Sequence, residues 1–248
     1  LLKLGAYGFI RLVLPLFPVE SHQFAIWLAV LAAASIVFGA FAAAGQKDFK
    51  RLVAYSSINH MGFVILGIAA AAWAGASTDP AMRQSAVIAM NGAVLQMFNH
   101  GLSAAGMFFL VGVIYDQAHT RVLDRFGGLY AILPVYGSIL IFTSMASLGL
   151  PGLSGFVSEF MVVRGAWPVF MAITAISMLG LLFTGVYVLK ALKLVLQGPL
   201  NLQWKGRLRD ISAREIAVIA PLMILSLVIG LWPSWIVNVI NQTVMAWF

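Results

Sequence analysis

Long hydrophobic runs, separated by short polar connections, cover almost the whole chain. Seven of them approach or exceed the roughly 20 residues that a helix needs to cross a bilayer. They are 1–17, 23–45, 52–74, 85–115, 130–163, 167–196 and 216–248. None alternates apolar and polar residues as a barrel strand does. Because backbone amides in hydrocarbon must be paired within their own segment, the pattern predicts an all-α polytopic membrane protein with about seven transmembrane helices.

The composition excludes a soluble domain and several kinds of prosthetic group. Of 248 residues, 62% are hydrophobic and 9% are charged, whereas a soluble domain has about 25% charged residues. The sequence contains no cysteine, so disulfides, thiolate zinc sites and iron–sulfur clusters are excluded. Its four histidines and eight acids are mostly scattered. We therefore expect no metal site and no cofactor on this chain.

The basic residues indicate how the chain is oriented. Alternate connections hold eleven lysines and arginines, while the intervening connections hold only Arg83 and Arg164. This bias follows the positive-inside rule, which explains the net charge of +7 better than nucleic-acid binding does. We expect the basic connections on the cytoplasmic or matrix side and no nucleic-acid partner.

The fifth run contains helix-breaking residues in its middle. Gly149, Pro151, Gly152 and Gly155 interrupt a stretch too long for one straight crossing, which predicts a discontinuous helix. In transporters such breaks mark ion sites, because freed carbonyls need cover by protein or water. A simple packing kink explains the break equally well at this point.

Ionisable residues within apolar runs are candidate functional groups, because charge at the bilayer centre is costly. Glu159 follows the break on its far side, and we favour a functional carboxylate over an interfacial one or a pair with Arg164. Lys3 opens the first run, so it is either interfacial or functional. Lys190 and Tyr187, three residues apart, are either inner access residues or, for the lysine, a topological anchor.

Two histidines lie in the middle of runs, each beside other polar residues. Ser56 and His60 are four residues apart, and Gln96, His100 and Ser103 follow the spacing of one helix face. A lone membrane histidine is usually a packing residue. Two on polar stripes favour a hydrated pathway, because imidazole passes protons near neutral pH.

Several blocks of this sequence resemble the M-type (subunit 4) antiporter-like membrane subunit of respiratory complex I, the NADH:quinone oxidoreductase. They are LLKLGAYGFIRLVLPLFP at 1–18, DFKRLVAYSSINHMGFVILG at 48–67, QMFNHGLSAAGMFFLVGVIYDQAHTR at 96–121, GGLY at 127–130 and ASLGLPGLSGFVSEF at 146–160. The resemblance covers most of residues 1–200. It implies a proton-pumping module of two inverted repeats, each with a broken helix.

The resemblance also implies roles for four of the residues above. Lys3 matches the family's central relay lysine, His60 and His100 match its two channel histidines, and Glu159 matches the terminal glutamate. In such a mechanism, charge movement along the membrane arm changes the protonation of Lys3. The proton then moves through water and His100 or His60 towards Glu159, and leaves on the side away from the basic loops. The order of the two histidines stays open.

By this resemblance the chain is the C-terminal half of such a subunit. We expect a single transmembrane domain over 1–248, with a partial first helix at 1–17, a five-helix repeat at 23–196 containing the broken helix 130–163, and a last helix at 216–248. The family's first repeat, with its own lysine–glutamate pair, is absent from the sequence, so this chain alone is not expected to pump.

The function implied is that of a translocase subunit in a bacterial plasma membrane or mitochondrial inner membrane. FMN, iron–sulfur clusters and quinone would lie on other subunits, and the L-type and N-type antiporter-like subunits would be neighbours within the bilayer. Two alternatives stay open. One is a subunit of a multisubunit sodium/proton antiporter or membrane-bound hydrogenase, and the other is a structural spacer that conducts nothing.

Overall fold

The computed structural model describes residues 2–247, and this part of the chain is almost wholly helical. Ten α-helices follow one another along it, and a π-helical turn at Phe9–Val13 joins the first two. Their bounds are α1 Leu2–Gly8, α2 Leu14–Leu16, α3 Pro18–Ala44, α4 Phe49–Ala74, α5 Pro80–Ala118, α6 Pro134–Leu148, α7 Ser154–Ala166, α8 Met171–Leu196, α9 Ala213–Leu231 and α10 Ser234–Met245. The predicted all-α fold class is confirmed.

Five of these helices, α3, α4, α5, α8 and α9, are long and apolar enough to cross a membrane. They differ in how deeply they are buried within the protein. In the most apolar 18 residues of each, 72% are buried in α4 but only 17% in α9. Helix α4 is therefore central to the bundle, and α9 lies at its periphery with side chains facing outward.

The fifth apolar run is interrupted where its glycines and proline predict. Helix α6 ends at Leu148, and α7 begins at Ser154. Gly149 and Gly152 have φ angles of 83° and 93°, a region in which a side chain would be strained. Gly155 lies inside α7, where a Cβ atom would overlap the carbonyl oxygen of an α6 residue. The break thus depends on residues without side chains.

The last apolar run was predicted to form one helix over 216–248, and this prediction was wrong. Helix α9 ends at Leu231 and α10 begins at Ser234. Pro233 lies between them, and a proline there has no N–H group with which to continue the helix. Pro221, in contrast, lies within α9, so proline alone does not indicate which position breaks the helix.

The three basic connections lie together at one end of the bundle. Residues of the first and second connections pair through backbone hydrogen bonds, Phe49 N to Arg121 O at 2.8 Å and Leu123 N to Lys47 O at 2.9 Å. The indole of Trp204, in the third connection, donates to the carbonyl of Arg125 at 2.9 Å. The structure therefore gathers the basic residues on one side, as the positive-inside rule requires.

The same end of the bundle fixes the beginning of α6. The carboxylate of Asp210, in the α8–α9 connection, accepts hydrogen bonds from the backbone N–H groups of Val135 and Tyr136, both at 2.9 Å. The first amides of a helix have no partner within it, so an external acceptor stabilises its start. Asp210 thereby ties the inner half of the broken helix to the basic connection.

Candidate functional site

The first polar contact joins α1 to α5. The Lys3 Nζ atom lies 2.6 Å from His100 Nδ1. His100 is buried, whereas Lys3 is partly exposed at the side of the bundle. A short contact between an amine and an imidazole nitrogen places a proton donor and acceptor in direct contact.

The two histidines lie next to each other, and the second of them contacts the glutamate. The ring centroids of His100 and His60 are 5.2 Å apart. His60 Nδ1 lies 2.8 Å from the Glu159 Oε1 atom, which makes an ion pair when the imidazole is protonated. These contacts arrange four residues in a polar line across the bundle. Their order is Lys3, His100, His60 and Glu159.

Glu159 faces protein rather than lipid, with 4% of its surface exposed. Its Oε1 atom also accepts a hydrogen bond from Gln96 Nε2 at 2.9 Å, and Gln96 Oε1 accepts one from Ser158 Oγ at 2.5 Å. A buried carboxylate needs such partners, because losing its water is costly. The hydrogen bonds of Glu159 are to side chains of α4 and α5, and none of them is to Arg164.

Asn99 orients the segment that carries Glu159, a role that the sequence reading missed. Its side-chain amide donates to the Ser154 carbonyl at 2.7 Å and to Ser158 Oγ at 3.0 Å. These bonds attach the first turns of α7 to α5 just beyond the break. The sequence offers one indication of this role, because Asn99 directly precedes His100 in the middle of an apolar run.

A small cavity adjoins His100 on the side of the basic connections. His60 Nε2 lies 3.4 Å from both Tyr187 Oη and Ser147 Oγ. Ser56 and Tyr187 line the cavity together with His100 and apolar residues of α4, α5 and α8. Its volume of about 10 Å³ is room for roughly one water molecule.

Two other predicted pathway residues lie apart from this line of groups. Lys190 Nζ donates to the carbonyls of Ala44 at 2.7 Å and Gln46 at 3.4 Å, at the end of α3. A cation there is favoured by the unpaired carbonyls of a helix end. Ser103 lines a different cavity between α5, α6 and α9, beside Thr143. The structure therefore separates both residues from the Lys3–Glu159 line.

On the other side of Glu159, helices α4, α5 and α7 pack almost backbone to backbone. A Cβ atom added to Gly92 would lie 2.6 Å from the amide nitrogen of Val162 in α7, and one added to Gly67 would lie 2.8 Å from the Ala89 carbonyl. Gly165 packs equally closely against Ala89. The polar line is thus flanked by a cavity towards the basic side and by dense packing towards the other.

Comparisons with known proteins give this geometry a context. The family described as NADH:quinone oxidoreductase/Mrp antiporter, TM, matches residues 1–188. NADH-quinone oxidoreductase subunit M of Rickettsia conorii is 39% identical over 244 residues, which are 98% of this chain and 47% of that protein. The chain therefore spans about half the length of this relative.

Many solved structures contain a chain of similar fold, including the following two. One is respiratory complex I from Thermus thermophilus with bound NADH, with a TM-score of 0.87 and 27% identity over 99% of this chain and 49% of that chain. The other is the Mrp complex from Dietzia sp. DQ12-45-1b, with a TM-score of 0.79 and 19% identity over 98% of this chain and 50% of that chain. The second likeness concerns the fold alone. On the sequence match, the chain belongs to the NADH:quinone oxidoreductase/Mrp antiporter transmembrane family.

Proposed function

We propose that this chain is the proton-conducting C-terminal half of a membrane-arm subunit of an NADH:quinone oxidoreductase. The observation that carries the proposal is the line of contacts from Lys3 through His100 and His60 to Glu159. The similarity to NADH-quinone oxidoreductase subunit M supports the assignment to that complex.

Each group on the line suits proton transfer. A neutral imidazole that takes up a proton on one ring nitrogen releases one from the other. His60 has Glu159 on Nδ1 and two hydroxyl groups near Nε2, so groups able to exchange a proton lie at both of its nitrogens. The ring centroids of His100 and His60 are 5.2 Å apart, and a rotation of either ring, or a water molecule in the cavity beside His100, would carry the proton between them. The ends of the line are an amine and a carboxylate, whose charges respond to charge in neighbouring parts of the membrane arm.

The surroundings give the line a direction. We propose that the hydroxyls of Ser56, Ser147 and Tyr187 connect His60 to the basic side. Release on the opposite side then requires α5 and α7 to separate beyond Glu159, where they are in close contact at Gly92. This contact would keep protons from leaking back between pumping events.

We propose that the redox chemistry takes place on other subunits. FMN, iron–sulfur clusters and quinone would be held elsewhere in the complex, and L-type and N-type antiporter-like subunits would flank this one. The coupling to this chain would then be electrostatic, through the charge state of Lys3 at the exposed end of the line.

The test removes the charge at each end of the line in the complete complex. Glu159→Gln and Lys3→Met are made in the full-length subunit, and proton uptake per electron is measured in inside-out vesicles during NADH oxidation. We expect the ratio to fall in both variants while the complex still assembles. Glu20→Gln is the control, because Glu20 is exposed in the first turn of α3. An unchanged ratio in both variants would identify the chain as a structural spacer.

A sodium/proton antiporter module is the second candidate, because the matched family includes Mrp antiporters and the Mrp complex shares the fold. It predicts that the protein exchanges sodium for protons without NADH. The purified complex distinguishes the two candidates: a flavin-bearing partner and sodium-independent proton uptake support the first. Sodium-dependent exchange supports the second, and co-purifying hydrogenase subunits indicate the related hydrogenase module.

A further inference from the structure

A groove between α6 and α8 opens at the basic end of the bundle, away from the polar line. Its volume is about 750 Å³. Apolar side chains form its walls: Ile141 and Met145 from α6, and Leu189, Leu192 and Leu196 from α8. Its mouth is polar and is formed by Tyr130, Lys193, Gln197 and Gly198.

The groove is slightly shallower than the hydrocarbon part of one membrane leaflet. Beyond its deepest lining residues, α6 and α8 come together: a Cβ atom added to Gly185 would lie 3.8 Å from Leu148 Cδ1. From Gly185 to Lys193, helix α8 rises about 12 Å at 1.5 Å per residue. Half the hydrocarbon thickness of a bilayer is about 15 Å, so the groove accommodates an acyl chain from the headgroup level nearly to the midplane.

The mouth of the groove carries the charge that an anionic headgroup would recognise. Lys193 is exposed there, whereas the amine of Lys190 is bound to the carbonyls at the end of α3. Tyr130 is 45% exposed at the same level, and tyrosine favours the membrane–water interface. The basic connections lie at this end too, and such inner surfaces attract anionic lipids.

We propose that this groove binds an anionic phospholipid of the inner leaflet, with its phosphate on Lys193 and one acyl chain between α6 and α8. The long apolar walls require a chain-bearing molecule, and the lysine at the mouth selects a negative headgroup. A basic pocket between helices on the cytoplasmic or matrix side is the usual form of such a site.

The proposal is tested by photo-crosslinking in the complete complex. A benzoylphenylalanine replaces Leu189 in the groove wall, and the complex is placed in nanodiscs of phosphatidylcholine with about one-fifth phosphatidylglycerol. After illumination, mass spectrometry identifies what is attached to the subunit. We expect phosphatidylglycerol to be enriched about fivefold among the adducts, relative to its share of the bulk lipid. This factor corresponds to the attraction of one lysine for an anionic headgroup. The enrichment should disappear in the Lys193→Gln variant.

Matched controls separate a site from general lipid contact. The same photoreactive residue at Leu182 lies two turns away on the same face of α8 and is 68% exposed, so it should report the bulk lipid ratio. Lys205→Gln removes an exposed charge outside the groove and should leave the enrichment intact. A second probe at Ile141 covers a failure of the Leu189 variant to assemble. The proposal would be overturned if both groove positions gave lipid adducts in the bulk ratio, or if Lys193→Gln left the enrichment unchanged. Crosslinks to a neighbouring polypeptide at the groove positions would also overturn it.

Discussion

The contact between α5 and α7 at Gly92 should be sensitive to a single methyl group. In Gly92→Ala the new Cβ would lie 2.6 Å from the Val162 amide nitrogen and 2.9 Å from Met161 Cβ. Ordinary van der Waals contact begins near 3.4 Å, so the two helices must move apart by about 0.8 Å. Overpacking of this kind costs about 1–3 kcal/mol.

The displacement acts on Glu159, which lies one turn before Val162 on α7. Its hydrogen bonds to His60 and Gln96 measure 2.8 Å and 2.9 Å. When α7 moves away from α4 and α5 by about 0.8 Å, both distances exceed the hydrogen-bonding range. To keep both bonds, the helices must bear the overpacking cost of about 1–3 kcal/mol, so the connected arrangement should become about fivefold to 150-fold less populated.

The assay compares Gly92→Ala with Gly112→Ala in the complete complex. Both glycines lie on α5, and a Cβ atom on Gly112 meets no other atom within 4 Å. Alanine is favoured over glycine in a helix by about 1 kcal/mol, so Gly112→Ala should be neutral or stabilising. We expect proton uptake per electron to fall in Gly92→Ala alone, with equal amounts of assembled complex by native gel. An equal ratio in the two variants would refute the reasoning.

Two further substitutions test the inner side of the line and the anchoring of α6. Tyr187→Phe removes one of the two hydroxyls near His60 Nε2, while the Ser147 hydroxyl remains. Because one hydrogen bond contributes about 1 kcal/mol, we expect proton uptake to slow by about twofold to tenfold. Complete loss of proton uptake in Tyr187→Phe would contradict this access route. Unchanged uptake in a double variant that also carries Ser147→Ala would contradict it as well. Asp210→Ala removes the acceptor for the first amides of α6, which should destabilise the fold by about 1–3 kcal/mol and lower the melting temperature measured by tryptophan fluorescence. An unchanged melting temperature would show that water replaces the carboxylate.

The sequence predicted one helix break and missed another for a physical reason. Around Gly149 and Gly152 the break requires positive φ angles, and glycine beside proline signals this locally. Pro233 has no glycine directly beside it, and Pro221 remains inside a helix. Tertiary packing therefore decides which proline ends the helix. The family resemblance, not the residue pattern, singled out Lys3, because a lysine at the start of a run is equally typical of an interface.

The candidate site was predictable as a set of residues but not as an arrangement. Helical spacing placed Gln96, His100 and Ser103 on one face, yet only the first two contact the polar line. Residues on one face of a helix contact different neighbouring helices at different depths in the bundle. The identity of each neighbour depends on contacts between distant parts of the chain. His60 and Glu159 are 99 positions apart, so no local pattern indicates that they touch.

The most direct test interrupts the line in its middle. His60→Leu removes the group between His100 and Glu159, while His22→Leu removes a histidine that stacks on Trp73 elsewhere in the bundle. Proton uptake per electron is measured for both in the assembled, NADH-oxidising complex. The account predicts a reduced ratio for His60→Leu and an unchanged ratio for His22→Leu. An unchanged ratio for His60→Leu would contradict the claim that these contacts conduct protons.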